Sequence, residues 1–447
     1  TGVQTCALPI SRTRGLRLPR MLRLVSFAGI LAFAALAWAL SEHRRRVPWR
    51  TVLVGLALQL AIGALVFLAP PTRVALLWLN DGVATLLGVS LEGARFVFGP
   101  LVAGPGQPGS IGFVLAFQVL PIAIFFSALT AAAYRLGLLQ PVVRAFGWLF
   151  HRTLGISGAE AMSSAANLVV GVESALAIRP YLARMTRSEL LVVLATGMAT
   201  VASTVLGLYM FTLQGVFPAI GGHLISATLI SIPAAIVIAK LLIPETSEPE
   251  TIRALPPQPI SDEGGVMAAI LAGAMEGVKL VVGIAAGLIA ILGLVALVDV
   301  GFAAVSLWLH LTDPVTLTGL LGLAFTPFAA LLGLDPQDIR PAAQLLGVRA
   351  VQTEFVAFQQ LATLAGQGAL TPRTVVIMSY ALCGFAHLAS LAIFVGGTAA
   401  LVPERRTELA ALGGKALLAA TLATLMTAAV AGVFCRGDET AFVTGAA

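Results

Sequence analysis

Long apolar runs separated by short charged turns dominate the chain. A helix that crosses the ~30 Å hydrocarbon core of a bilayer needs about 20 mostly apolar residues. Runs of this length predict eight transmembrane helices and an all-α polytopic membrane protein. The predicted spans are Leu22–Leu40, Thr51–Ala69, Ile111–Tyr134, Ser188–Leu213, Leu224–Leu242, Leu280–Val298, Thr374–Ala400 and Leu409–Phe434.

Two further apolar segments fit a span less well. Val74–Val97 is amphipathic, and its charged residues recur too often for the bilayer core, so we predict an interfacial helix. Leu317–Leu332 contains Pro327, and we expect a short or partly buried helix there. An amphipathic lead-in with Glu276 and Lys279 precedes the sixth span.

Polar interruptions lie at membrane depth in two places, around Gly171–Ser174 and around Thr353–Val356, and each contains a glutamate. A carboxylate at the bilayer centre costs about 2.5–3.5 kcal/mol on insertion scales. Non-helical backbone is tolerated at this depth only inside protein or beside water. We therefore predict two re-entrant hairpins, Ser157–Ala183 and Asp338–Leu364.

A second repeated pattern follows each interruption. Gly197–Ser203 reads GMATVAS and Gly384–Ser390 reads GFAHLAS, which share G-x-A-x-x-A-S. These strings predict breaks in the fourth and seventh spans, although such strings also occur as helix-packing motifs. The step from the fourth to the seventh span is odd, so the two copies have opposite orientation. This inverted-topology repeat is typical of secondary transporters, whose sites lie at the broken helices.

Composition supports this interpretation. The chain is 58% hydrophobic and only 11% charged, with a mean hydropathy of +0.96, whereas soluble domains carry about 25% charged residues. The net charge of +6 is explained by basic cytoplasmic loops and does not indicate nucleic acid. Basic segments at 43–50, 135–152, 179–187 and 403–415 fall on one side of the predicted topology. We expect a multi-pass protein of a bacterial inner membrane with both termini in the periplasm.

The same pattern divides the chain into segments. Thr1–Ile10 resembles the translation of a DNA-sequencing adapter, so we expect a non-native, disordered N-terminus and a natural start that is missing or near Met21. The three cysteines show no paired or metal-ligand spacing. The predicted segments are 1–20 (N-terminus), 21–110 (first spans and interfacial helix), 111–243 (first core half), 244–264 (polar linker), 265–435 (second core half) and 436–447 (tail).

Glu173 and Glu354 are the sharpest chemical signals. Membrane-embedded ionisable groups are functional by default, and we expect both to line a polar cavity and bind a hydroxyl-rich solute. The alternative is a structural ion pair of these glutamates with Arg179 or Arg349.

Asn167 and Thr200 form a candidate cation site, because a small hard cation needs oxygen ligands and the broken helix frees carbonyls such as that of Val201. A hydrogen bond between two helices is an equally good explanation. His387 lies in the other break, where it can hold a ligand hydroxyl, take a coupling proton or simply pack.

At these residues the chain resembles the concentrative nucleoside transporter family, over most of residues 110–435. The resemblance implies a homotrimer with a scaffold around a mobile transport domain, elevator-like alternating access driven by sodium or protons, and no catalytic chemistry or other cofactor. The matching motifs are Phe113–Pro121, Phe125–Leu129, Ser164–Asn167, Arg179-Pro180, Glu354–Ala357, Ala381–Ala386 and Pro403–Arg406.

The resemblance also assigns roles by position. Matches to nucleoside-contacting positions are Glu173, Glu354, Phe385 and Ser390, to which the interruptions add Gly171, Val172, Thr353 and His387. Matches to sodium-site positions are Asn167, Val170, Thr200 and Val201.

Three departures from the family pattern concern the substrate. The first hairpin is one residue shorter and lacks the glutamine that reads a nucleobase edge. Thr353 and His387 each stand where the family carries asparagine. The sequence therefore supports recognition of ribose through Glu354 better than recognition of the base. We expect the substrate to be a nucleoside or a related hydroxylated solute.

The sequence thus predicts ion-coupled import of nucleoside-like solutes and no enzymatic activity. A non-transporting nucleoside sensor on the same fold is one alternative. An intramembrane hydrolase with paired glutamates is the other.

Overall fold

The computed structural model describes residues 12–104, 108–169, 171–253, 265–310 and 315–435, and these residues contain helices and no strand. The α-helices are α1 Arg12–Ala39, α2 Trp49–Leu68, α3 Pro70–Phe98, α4 Leu115–Gln118, α5 Leu120–Arg135, α6 Gln140–Leu154, α7 Gly158–Ala166, α8 Arg179–Leu182, α9 Arg187–Ala199, α10 Ser203–Leu213, α11 Ile220–Leu242, α12 Val266–Trp308, α13 Leu317–Ala330, α14 Ile339–Val351, α15 Glu354–Gly366, α16 Pro372–Leu382, α17 Leu388–Leu401 and α18 Arg406–Phe434. The 3₁₀ turns are Gly99–Val102, Val172–Ile178, Pro336–Asp338 and Pro403–Arg405.

Within the described residues, eight helical stretches are long and apolar enough to cross a bilayer. Seven overlap predicted spans. The eighth is Pro70–Val102, which contains the segment predicted to be interfacial. The seventh predicted span is not among them, because its helix is broken into α16 and α17, each shorter than a full span.

Two structurally equivalent halves make up the centre of the molecule, which confirms the inverted repeat. In the first repeat, a hairpin of α7, the 3₁₀ turn and α8 precedes the broken helix α9/α10 and the long helix α11. In the second repeat, a hairpin of α14 and α15 precedes the broken helix α16/α17 and the long helix α18. We call these hairpin 1 and hairpin 2.

The helices form a buried core and an outer layer. Helix α11 packs against α2, α9 and α18 and is buried on nearly all sides, as expected for a helix that is apolar all round. The outer layer consists of α3, α5 and α12, in which α5 lies along α12. Most side chains of α12 and α3 are exposed at the molecular surface, although both helices are strongly apolar.

The structure corrects three predicted boundaries. The first helix begins at Arg12, ahead of Leu22 where the first span was predicted to begin, since the arginines and leucines before that span are good helix formers. The third span begins at Leu115, after Gly112 adopts a left-handed φ of 101°. The sixth span is one continuous helix that includes the lead-in with Glu276 and Lys279.

Paired helix caps fix the base of hairpin 1. Ser157 and Glu160 form a capping box at the start of α7, and Thr186 and Glu189 form another at the start of α9. The two boxes interlock, because Ser157 Oγ donates to Glu189 Oε1 at 2.5 Å. Lys240 of α11 lies 2.6 Å from Glu160 Oε1, and this buried ion pair attaches the hairpin to the core.

The base of hairpin 2 is attached at the equivalent place in the second repeat, by different chemistry. Thr371 caps α16, and both its amide and its hydroxyl donate to Asp338 Oδ2, at 3.0 and 2.7 Å. The guanidinium of Arg373 donates to the carbonyls of Gly333, Gly432 and Cys435. The base of each hairpin is therefore held rigidly, which positions the two tips.

Candidate functional site

The two broken helices contact each other at their breaks. Gly384 adopts a left-handed φ of 148°, and an added Cβ would lie 2.9 Å from the carbonyl oxygen of Ala199. An added Cβ at Gly197 would lie 2.6 Å from the ring of Phe394. The glycines of the repeated G-x-A-x-x-A-S strings are thus needed for close packing, and the same packing brings the breaks together.

Glu354 lies at the tip of hairpin 2, in the first turn of α15, where the helix dipole favours a carboxylate. Its side chain is buried, with a residue exposure of 5%. Oε1 accepts a hydrogen bond from the hydroxyl of Tyr209 at 2.6 Å. Oε2 lies 2.7 Å from His387 Nε2, although the ring meets it away from ideal hydrogen-bond alignment.

His387 is the N-cap of α17 as well as the neighbour of Glu354. Its Nδ1 accepts a hydrogen bond from the amide of Ser390 at 3.3 Å, and Ser390 Oγ accepts one from the amide of His387. A ring whose Nδ1 accepts carries its proton on Nε2, so these hydrogen bonds assign a neutral imidazole with Nε2–H toward the carboxylate. His387 is therefore a structural cap and, as the neighbour of Glu354, also a candidate site residue.

Tyr209 was missed by sequence reasoning. It is fully buried on α10, and its ring stacks on Phe358 with centroids 4.8 Å apart. A buried tyrosine hydroxyl needs a partner, but only the folded structure shows that this partner is Glu354, 145 positions away along the chain.

Asn167 ends the first arm of hairpin 1 and is completely buried. Its Nδ2 donates to Ser163 O at 3.1 Å and lies 3.4 Å from Thr196 Oγ1. Its Oδ1 has no hydrogen-bond partner among the described residues. An orphaned, buried amide oxygen is costly, and it is the kind of ligand that a cation would satisfy.

Thr200 and Val201 lie in the break beside this asparagine, and both are buried. Thr200 Oγ1 donates to Thr196 O at 2.9 Å, so Asn167 and Thr200 both contact Thr196, which sequence reasoning also missed. The next half-helix, α10, begins at Ser203, and its N-cap residue Ala202 provides no side-chain cap. The carbonyls in the last turn of a helix lack intrahelical partners, and oxygen ligands of this kind suit a small hard cation.

Of the remaining predicted residues, the structure describes some and leaves others outside its described part. Phe385 is half-buried with its ring 6.5 Å from that of His387, and Thr353 caps α15 by accepting from Val356 N at 3.3 Å. Gly171 accepts a hydrogen bond from Ser174 N at 3.0 Å. Outside the described part of the structure lie Val170 and the side chains of Val172 and Glu173.

The alternative of a structural ion pair fails for Glu354. Among the described residues Arg349 forms no ion pair with Glu354, and its Nη1 donates to Ala381 O and to Thr424 Oγ1 at 2.8 Å. Arg179 is exposed. In the part of the chain that the structure describes, the basic side chain next to Glu354 is the neutral imidazole of His387.

Comparison with known proteins identifies the family to which this architecture belongs. The family descriptions that match are the sodium-dependent nucleoside transporter N-terminus over residues 28–101, nucleoside recognition over 116–216, and the sodium-dependent nucleoside transporter C-terminus over 223–432. An uncharacterized transporter of Haemophilus influenzae is 37% identical over 418 residues, which covers 92% of this chain and 97% of that protein. The chain belongs to the sodium-dependent nucleoside transporter family.

Other members of the family extend the comparison. Sodium/nucleoside cotransporter 1 of Rattus norvegicus is 38% identical over 440 residues, and the chain spans 65% of its length. For solute carrier family 28 member 3 of Mus musculus, the corresponding share is 58%. The solved structure of CNTnw in an inward-facing substrate-bound state matches with a TM-score of 0.84 and 35% identity, covering 92% of this chain and 98% of that one. A CNTnw variant in an outward-facing state matches equally well.

Membership in this transporter family confirms the resemblance seen in the sequence. It also confirms that the chain is not an enzyme, so the hydrolase alternative is wrong. The buried glutamate, tyrosine and histidine therefore form a candidate solute site, and the orphaned amide beside the first break forms a candidate ion site.

Proposed function

We propose that the chain imports nucleosides across the bacterial inner membrane and couples this import to sodium. The observation that carries the proposal is the buried Asn167 Oδ1, which lacks a partner among the described residues and lies beside the Thr200–Ala202 break. A sodium ion bound there would satisfy an amide oxygen and free helix carbonyls together. The proposed ligands are Asn167, Val170, Thr200 and Val201.

The solute site is proposed at the tip of hairpin 2. An ionised carboxylate accepts hydrogen bonds through both oxygens and binds vicinal hydroxyls well. Glu354 is already oriented by Tyr209 and His387, so little reorganisation is needed when ribose hydroxyls arrive. The side chains proposed to complete the site are Glu173, Thr353, Phe385 and Ser390, together with the backbone at Gly171 and Val172.

Coupling follows from the contact between the breaks. The proposed ion site lies in the α9/α10 break and the proposed solute site borders the α16/α17 break, and these breaks touch at Ala199 and Gly384. An ion that orders the first break therefore also stabilises the second. Proton coupling is the alternative: it would make the oxygen cluster at Asn167 vestigial and would act through Glu173 and His387.

The larger-scale behaviour belongs to the same proposal. We infer that the core moves against the outer layer in an elevator-like cycle, with the basic loops and turns in the cytoplasm and both termini in the periplasm. We also infer a homotrimer, supported by the exposed apolar surface of α12. Cross-linking of the protein in native membranes tests the trimer directly.

Uptake of radiolabelled uridine and adenosine into proteoliposomes tests the central claim. A sodium gradient and a proton gradient are applied separately at the same membrane voltage. Uptake that needs sodium supports the proposal. Uptake driven only by protons would move coupling to Glu173 and His387, and no uptake of either nucleoside by folded protein would show that the substrate class has changed with the shortened hairpin.

A further inference from the structure

Arg349 is a fully buried cation at the end of α14, the first arm of hairpin 2. Its Nη1 donates to the carbonyl of Ala381, in the last turn of α16, and to Thr424 Oγ1 at 2.8 Å. Its Nε and Nη2 have no hydrogen-bond partner within the described ranges. An arginine that served only to tie helices together would use these donors, because burying them unpaired is costly. We take this to mean that the positive charge of Arg349 matters more at this position than the hydrogen bonds its guanidinium donates.

The first repeat has a polar side chain at the matching place. Asn167 ends α7, the first arm of hairpin 1, and contacts Thr196 in the last turn of α9. Arg349 likewise ends the first arm of its hairpin and contacts the last turn of the half-helix that stops at mid-membrane. In each repeat the same structural position thus faces the same kind of target, a helix C-terminus.

A helix C-terminus carries about half a negative charge and up to four carbonyls without intrahelical partners. In water these groups are solvated, whereas inside the core they need a cation or a donor. The first repeat offers an amide oxygen, which adds to the negative potential and leaves room for a cation from solution. The second repeat carries its cation on the chain, as the guanidinium of Arg349.

We propose that Arg349 is a tethered cation that takes, in the second repeat, the place that sodium takes in the first. The chain consequently binds one sodium ion per nucleoside, and a second cation site exists in latent form beneath the guanidinium, next to Ala381 O and Thr424 Oγ1. The inference rests on the proposed sodium coupling. It goes beyond that coupling by fixing its stoichiometry and by assigning a positioning role to Arg349.

The test replaces Arg349 in the second repeat with asparagine, the residue that stands at the matching position, Asn167, in the first repeat. In Arg349→Asn the guanidinium is gone and an amide oxygen takes its place, so a second sodium ion becomes necessary. We expect the Hill coefficient for sodium in uridine uptake to rise from about one toward two, and the charge moved per uridine to rise in parallel. Arg349→Lys retains the tethered charge and should keep the wild-type values. Arg340→Asn, on the exposed face of the same helix, is the matched control and should change neither quantity.

Binding without transport provides a second readout. Sodium added to detergent-purified Arg349→Asn, without nucleoside, should raise its thermal midpoint more steeply with concentration than it does for wild type. A folded Arg349→Asn protein with a wild-type Hill coefficient and charge ratio would overturn the inference and leave sodium coupling intact. Two charges per uridine in the wild-type protein would overturn it even if the variant did not fold. Sodium-independent uptake by wild type would instead overturn the proposed coupling itself, and this inference with it.

Discussion

The two repeats share one architecture but satisfy their mid-membrane breaks differently. In the second repeat, α17 is capped by His387, and Glu354 is held by Tyr209 and His387. In the first repeat, α10 has no side-chain cap and Asn167 Oδ1 has no partner among the described residues. The half-helix that follows the second break is capped by a side chain of the protein, whereas the half-helix that follows the first break is not. An inverted repeat can therefore diverge into two different sites: the proposed solute site, whose side chains already hold one another, and the proposed ion site, which only its ligand would complete.

Glu354→Gln removes the buried carboxylate charge at the tip of hairpin 2, and we expect it to reduce uptake more than any other substitution considered. Two charge-assisted contacts are lost, each worth about 1.5–3 kcal/mol, so initial uridine uptake should fall by roughly 100-fold or more. The measurement is uptake normalised to the amount of protein in the membrane. Glu408→Gln, which alters a partly exposed carboxylate paired with Arg405, should transport almost normally. Normal uptake by Glu354→Gln would remove the solute site from hairpin 2.

Gly384→Ala tests the contact through which the two repeats meet. The new Cβ would meet Ala199 O and Thr424 Cγ2, and the residue would keep a left-handed φ. We expect a loss of about 2–3 kcal/mol in stability, seen as a lower thermal midpoint in detergent. Gly396→Ala in α17 meets no atom within 4 Å and should be neutral or stabilising by up to about 1 kcal/mol. Equal midpoints for the two variants would contradict the close contact.

Asn167→Ala tests whether the unpartnered amide oxygen of the first repeat binds the coupling ion. Removal of one neutral oxygen ligand should raise the sodium concentration for half-maximal uptake by about tenfold, since 1.4 kcal/mol corresponds to that factor. Maximal uptake at saturating sodium should recover. The control is Asn80→Ala, which removes another buried amide, on α3, whose Oδ1 accepts from Gly221 N at 3.0 Å. An unchanged sodium dependence in Asn167→Ala would assign that amide to packing alone.

The smallest effect concerns Glu42, in the loop between α1 and α2, which bonds both Arg187 of the first repeat and Lys415 of the second. Partial burial raises the pKa of this carboxyl, but Lys415 and Arg187 outweigh it, and the net pKa is lowered. A lowered folded-state pKa means that the contribution to stability is present above the unfolded pKa of about 4.3 and is lost as the pH falls through the folded value.

Glu42→Gln should therefore lower stability by less than about 1 kcal/mol at neutral pH, as is usual for exposed ion pairs. The thermal midpoints of variant and wild type should converge in acid, below the folded pKa. A difference that persists there would show that Glu42 acts through packing rather than charge.

Much of the fold could be predicted because polar residues in an apolar run have few explanations. The glutamate of Thr353–Phe355 and the repeated glycines located one hairpin tip and both breaks within a few residues of their true positions. What the sequence did not reveal is which surfaces face each other. Helices α9, α10 and α11 are apolar all round, so they have no polar face from which a packing partner can be inferred.

Sequence analysis missed two residues of the candidate site for the same reason. Tyr209 and Thr196 lie on such helices, and their roles come from partners that only tertiary packing brings near. For Arg349 the sequence suggested a pairing with the nearby glutamate, whereas the folded arm directs the guanidinium to the carbonyl of Ala381. The ion pair was an alternative in the sequence analysis because the two charges are close along the chain, and the geometry of the hairpin excludes it.

The length of α12 bears on how the molecule sits in a bilayer. Its 43 residues correspond to about 65 Å, roughly twice the ~30 Å hydrocarbon thickness. Even at a steep tilt of about 40° such a rod projects about 50 Å along the membrane normal, beyond the headgroups on at least one side. The apolar middle of this rod is flanked by Glu276 and Lys279 on one side and by Asp299 on the other, so it cannot slide along the normal without moving charged side chains into lipid. In the proposed elevator-like cycle, α12 would therefore stay fixed in the bilayer and the core would move.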